Sequence, residues 1–148
     1  MPGSLEDSVL VERHLFAVVD VDGSDPPWPG GSVPPDEAVW VLPGRVDFRS
    51  AGEDHVVAVR FESWDIDPGE PDPEWAELDD VTVLLSSGTV QLWALTDGPS
   101  SRTFTVGRPG PYRLRIFVRG TDEVLIAQLE GTEIPDGTER YLLRFLPG

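Results

Sequence analysis

The chain of 148 residues has no cysteine, no lysine and no asparagine, with a single methionine and two histidines. Without cysteine there is no disulfide, no thiolate metal site and no thiol nucleophile. Without lysine there is no Schiff-base chemistry, and all 11 basic residues are arginine. Long apolar runs are missing too. None approaches the roughly 20 residues that a spanning helix needs, so no membrane is expected as a partner. The opening MPGSLEDSVLVER is acidic and lacks a basic-then-apolar leader pattern, which gives a cytoplasmic expectation. Neither a G-x-x-x-x-G-K-[ST] loop nor a G-x-G-x-x-G turn is present, and no serine sits in a G-x-S-x-G elbow.

What the chain has is acid and turns. There are 27 acidic residues, for a formal net charge of -16. Residues 1–100 carry 21 acids and 4 arginines, whereas residues 101–148 carry 6 acids and 7 arginines. That field repels nucleic acid and anionic lipid and attracts a basic protein at long range. It also keeps a β-rich chain soluble. Glycine and proline number 15 each, so turns are frequent.

Between the turns the residues alternate apolar and polar, with many β-branched and aromatic side chains, which is the signature of strands. Strands are expected at Val9–Asp20, Ala38–Leu42, Arg45–Arg49, Val56–Trp64, Val81–Leu85, Thr89–Leu95, Arg102–Val106, Tyr112–Arg119, Val124–Leu129 and Tyr141–Leu146. The turn clusters fall at 23–35, 67–73, 97–101 and 135–137. A hairpin is expected about Ser86-Ser87-Gly88, and another between 102–106 and 112–119. Asp72–Asp80 is the one helix candidate, with Asp72 as cap and Pro73 in the first turn. The pattern gives an all-β fold: a single antiparallel β-sandwich of eight or nine strands over residues 1–148, jelly-roll-like in layout. A closed barrel is the alternative.

Candidate functional groups fall into four sets. Asp20-Val-Asp22-Gly-Ser-Asp25 and Asp65-Ile-Asp67-Pro-Gly open like calcium loops. Counted from either start, the glycine and the closing glutamate of an EF-hand are absent, and no metal or other cofactor is expected. His14 and His55 have no spacing that would join them in a metal site. Arg113, Arg115, Phe117 and Arg119 alternate away from Leu114, Ile116 and Val118, and Arg140 and Arg144 share a face. This arginine band either grips an anion or pairs with the protein's own acids, Glu62 and Glu139 among them. Trp40 and Trp93 lie within strands and are expected in the core. Trp28, Trp64 and Trp75 lie in or beside loops, as partner anchors or as lids.

The densest feature is FESWDIDPGEPDPEWAELDD at 61–80, with nine acids and no base. Its candidate partner-binding residues are Trp64, Asp65, Asp67, Glu70, Asp72, Glu74, Trp75 and Glu77. As a docking surface it would have to face solvent. Burial of both tryptophans, with the acids spent on Arg113, Arg115 and Arg119, would make it a structural cover.

The C-terminal pattern G-P-Y-R-L-R-I-F-V-R-G-T-D at 110–122, followed by E-R-Y-L-L-R-F-L-P at 139–147, resembles a group of uncharacterised bacterial β-sandwich proteins. More distantly, three features in order resemble the competence-associated nuclease-inhibitor family. They are the R-H-L-F-A-V strand at 13–18, the acidic loop reaching Trp75, and G-P-Y-R. The likeness spans residues 13–120 as element order more than identities. It implies a small acidic protein that binds and restrains another. The leading expectation is therefore a non-enzymatic, acidic protein-binding domain, an inhibitor or immunity-type partner of a basic protein such as a nuclease or toxin. The alternative is a carbohydrate- or calcium-binding sandwich module. An enzyme would need a pocket that sets His14 or His55 beside carboxylates.

Overall fold

A computed structural model of the chain describes residues 3–22 and 37–148. The turn cluster at 23–35, with Asp25 and Trp28, lies outside the described residues. The described residues form eleven strands and one helix: β1 (Gly3–Val11), β2 (Leu15–Asp20), β3 (Val39–Leu42), β4 (Arg45–Arg49), β5 (His55–Ser63), β6 (Ala76–Leu85), β7 (Thr89–Ala94), β8 (Gly98–Pro99), β9 (Phe104–Thr105), β10 (Gly110–Arg119), α1 (Thr121–Glu130) and β11 (Arg140–Pro147). They make two sheets, not a closed barrel. One has the order β1-β5-β11-β10-β6. The other runs β3-β4-β2-β7-β8, with β9 paired to β7. The pairings are antiparallel except for β11 beside β5, which is parallel.

Period-two alternation places the core. Val57, Val59 and Phe61 of β5, Leu114 and Ile116 of β10, and Tyr141, Leu143 and Phe145 of β11 are buried against Phe16, Val18, Phe48, Val90 and Leu92 of the facing sheet. Phe16 stacks on Phe48 at 4.8 Å between ring centroids, and Tyr141 meets both edge-on. Trp40 and Trp93 take the opposite parity to this core. They are half-buried on the other face of their sheet, not in the interior as expected.

Several boundaries differ from the alternation. The run Val9–Asp20 is two strands. Arg13 and His14, with φ of 54° and 70°, make a tight left-handed turn between them. Such turns usually carry Asn-Gly, so Arg-His gave no signal. Phe104–Thr105 pairs with β7, not with β10, so the second expected hairpin does not form. Asp72–Asp80 is a turn leading into β6, and Pro73 opens no helix. The helix is instead at Val124–Leu129, which reads as a strand by its apolar residues. Gly120 (φ 83°) breaks the chain out of β10, and Gly131 (φ 68°) ends α1. With only Val124 of α1 buried, side-chain pattern could not reveal the period.

Candidate functional site

The acidic stretch is a crossover. β5 runs parallel to β11, while β11 and β6 are both antiparallel to β10. β5 and β6 therefore point the same way with two strands between them. Joining parallel strands requires the chain to return along the sheet, in a connection of about a dozen residues. Residues 64–75 do this without a helix. Extended, 12 residues reach about 40 Å, enough to cross the face diagonally. That face is where the arginine band lies.

Strand register lays the band out in rows. Ser4, Glu62, Arg144, Arg115 and Asp80 form one row across β1, β5, β11, β10 and β6. Glu6, Arg60, Leu142, Phe117 and Glu77 form the next. The crossover drops its carboxylates onto these rows. Arg115 Nη1 donates to Asp67 Oδ2 at 2.9 Å, its Nη2 to Glu70 Oε1 at 3.0 Å and its Nε to Glu77 Oε2 at 3.0 Å. Arg144 donates to Glu62 at 2.9 Å and to the Gly69 carbonyl at 2.7 Å. Arg119 donates to Glu74 at 2.8 Å. The guanidiniums of Arg115 and Arg144 also lie over the buried Phe117 ring, at 5.0 and 5.5 Å from its centroid. Arg113 pairs with Asp80.

The expected docking residues thus divide. Asp67, Glu70, Glu74 and Glu77 hold arginines of the sheet. The side chains of Asp65 and Asp72 have no partner among the described residues and face solvent. Trp64 and Trp75 are half-buried. Trp64 donates its Nε1–H to Glu62 and lies against Arg144, while Trp75 lies against Arg119. Ile66 stands 81% exposed between Asp65 and Asp67. Sequence reasoning missed a second such patch. Leu125, Ile126 and Leu129 of α1 are exposed, Leu129 to 88%. Residues 120–139 around them hold six acids and no base. The signal was present in that charge run, but a strand reading turned the apolar residues inward.

The ion pairs set the local titration. Burial pushes the Glu62 carboxyl up, but hydrogen bonds from Arg60, Trp64 and Arg144 outweigh it and hold the pKa below the usual range. The Gly69 N–H and Arg115 hold Asp67 low, and Arg113 holds Asp80 low.

Other candidates resolve by geometry. Asp20 accepts from the N–H groups of Asp22, Ser87 and Gly88 and from the Ser87 hydroxyl. Its oxygens are therefore occupied within a turn and are not arrayed for calcium. Among the described residues, no group of three or more metal-ligating side chains is assembled. His55 belongs to a buried network. Ser50 donates to Glu139 Oε1 at 2.6 Å, as does Tyr141 at 2.9 Å. The Ser50 oxygen then accepts from His55 Nε2–H at 2.7 Å. This order is the reverse of a nucleophilic triad. The acid accepts the serine O–H, and His55 Nδ1 has no partner among the described residues. A pocket of about 270 Å³ is bordered by Ser50, Glu139 and Tyr141, but neither histidine lines it.

Burial holds His55 below its ordinary pKa, against the pull of Glu139. The folded state therefore binds this proton less readily than the unfolded chain. Stability from His55 is full above the unfolded pKa, near 6.5, and is lost as pH falls toward the folded value. The carboxylates with lowered pKa add their loss below about pH 4. A thermal-melt series is expected to show wild type declining from pH 6.5 to 5. His55→Gln, which keeps a donor and cannot titrate, should stay flat there, and both should fall together below pH 4. Parallel curves from 6.5 to 5 would show that His55 is not the group responsible.

No protein-family model matches the chain, and no curated protein sequence does. Solved structures do match. The crystal structure of ComJ, inhibitor of the DNA degrading activity of NucA, from Bacillus subtilis, superposes with a TM-score of 0.61 at 12% identity. The match covers 100% of this chain and 99% of that one. The chain is distantly similar to the competence-associated nuclease-inhibitor family. A structure described as crocagin biosynthetic gene J matches with a TM-score of 0.60 at 16% identity, over 98% of this chain and 97% of that one. At these identities the likeness is one of fold, and it runs from end to end. No described helix is long and apolar enough to cross a membrane.

Proposed function

We propose that the protein is a non-enzymatic inhibitor or immunity-type partner that docks on a basic protein, a nuclease or toxin, in the cytoplasm. What supports this reading is the end-to-end fold likeness to ComJ, described as an inhibitor of the DNA degrading activity of NucA. The charge fits it: with a net charge of -16, the protein would be steered toward a cationic surface and would present carboxylates where that surface meets phosphates. The docking surface is the solvent side of the crossover and the start of β6, from Trp64 to Glu77. Asp65, Ile66, Glu70 and Asp72 make the contact. Trp64, Asp67, Glu74, Trp75 and Glu77 hold the segment on the arginine band, so that little order is lost on binding.

The test begins with salt-eluted capture from the source organism, to obtain the basic partner in pure form. Its affinity is then measured for wild type and for Asp65→Asn/Ile66→Ser/Asp72→Asn, which removes no internal ion pair. The expected result is a loss of tenfold or more in affinity with no change in melting temperature. A partner bound equally well by both proteins would remove the crossover as the docking site. The same measurement on Leu125→Ser/Leu129→Ser would then decide whether α1 takes that role.

A further inference from the structure

Five arginines of the outer sheet face, Arg60, Arg113, Arg115, Arg119 and Arg144, are paired to acids. Two more on the same side of the molecule are not. Arg102 donates to the Glu6 carbonyl at 2.7 Å, and Arg140 donates to the Gly137 carbonyl at 3.2 Å. Neither makes an ion pair among the described residues, although acids outnumber arginines 27 to 11 in the chain. Both line one hollow of about 360 Å³, together with Arg60, Trp75, Ser8 and Ala58.

Register explains the hollow. Ser8 pairs with Ala58, and Ala58 with Arg140, across β1, β5 and β11. Two small side chains form its floor, and the larger ones beside them form its walls. The acids at its edge are already engaged. Glu6 accepts from Arg60, and Asp7 accepts from the Ser100 hydroxyl at 2.6 Å and the Ser8 N–H at 2.8 Å. The unused hydrogen-bonding capacity is therefore that of donors, with most N–H groups of the Arg102 and Arg140 guanidinium forks free among the described residues. Trp75 adds a flat wall. The volume is at the small end of ligand sites, about 300–1,000 Å³.

We propose that this hollow binds a small planar anion, its ring along Trp75 and its carboxylate or phosphate oxygens on Arg102 and Arg140. A polyanion is disfavoured by the field of the whole protein, whereas one small anion fits within the hollow. The proposal does not depend on the inhibitor reading, since it requires no protein partner.

The test is a titration of the full chain with adenosine monophosphate, benzoate and inorganic phosphate, followed by amide and indole NMR shifts. Saturable shifts confined to Ser8, Ala58, Arg140 and the Trp75 indole are expected with at least one of the two ring-bearing probes, which should bind at least tenfold more tightly than inorganic phosphate. The better of them identifies phosphate or carboxylate as the anionic group. Arg102→Ala/Arg140→Ala should weaken binding more than tenfold. Both side chains are exposed, so the fold is retained. Arg108→Ala removes one positive charge, half that of the double variant, from an exposed site outside the hollow and should leave affinity unchanged. The proposal is overturned if no probe gives saturable shifts, if inorganic phosphate binds as well as the ring-bearing probes, or if the double variant binds like wild type. Equal weakening by Arg108→Ala would also overturn it, as general charge attraction.

Discussion

Arg115→Met is expected to lower the unfolding free energy by about 2–3 kcal/mol and to loosen the crossover from the sheet. Removing one partner of a buried ion pair typically costs about 3–5 kcal/mol. The lower figure applies because the Arg115 side chain is 7% exposed whereas Glu70 is 76% exposed and keeps much of its hydration. Methionine keeps an aliphatic stem of similar length but removes the guanidinium and its contact over Phe117, so the loss is mainly of charge. Asp67, Glu70 and Glu77 would then lose the cation they share. Urea denaturation of Arg115→Met beside Arg113→Met separates the two roles. Arg113 is 46% exposed, and its solvent-screened surface pair adds little to stability. Equal costs for the two variants would show that the crossover is not pinned at Arg115. Heightened proteolysis of Arg115→Met between Trp64 and Trp75 is the companion result. A partner-binding loss in that variant would report a displaced surface, which is why the docking test uses Asp65, Ile66 and Asp72 instead.

Gly120→Ala is expected to cost at least about 3 kcal/mol, the largest effect of any single methyl group in the β10–β11 connection. A left-handed backbone alone costs about 1–2 kcal/mol for a residue with a Cβ. Here the added atom would also sit 1.9 Å from the Thr138 carbonyl oxygen. That oxygen is backbone and cannot rotate away, so β10, α1 or the approach to β11 must shift. Gly131→Ala is the internal control. It has a similar φ of 68° and no atom within 4 Å of the added Cβ, so about 1 kcal/mol is expected. Melting midpoints of the two variants give the comparison, and a Gly120→Ala cost no larger than that of Gly131→Ala would sink the argument. Because Glu139 lies next to Thr138 and carries the Ser50 and Tyr141 hydrogen bonds, Gly120→Ala should also disturb the His55 titration.

Local chemistry alone determined much of this protein. Alternation in GPYRLRIFVR and RYLLRFLP assigned the core and outer faces of β10 and β11 correctly. This works because a strand's side chains point to opposite faces whatever it pairs with. Glycine and proline marked the turns, and the acid count set the sign of the surface. Element order over residues 13–120 was enough to suggest the nuclease-inhibitor family, and the end-to-end fold match bears that resemblance out.

Tertiary structure decided the rest. Whether Asp67, Glu70 and Glu77 are free or bound depends on β5 and β6 being parallel, and strand order is not written in any short window. The same order brings Arg140 beside Ala58, some 80 residues away in sequence, and so makes a hollow from side chains that look unrelated. α1 was misread for the complementary reason. It buries a single residue, so its conformation is fixed by Gly120 and Gly131 and not by a periodic apolar face. Sequence reveals an element when that element's own pattern is what stabilises it. Where stability comes from partners far along the chain, only the fold shows which residues meet.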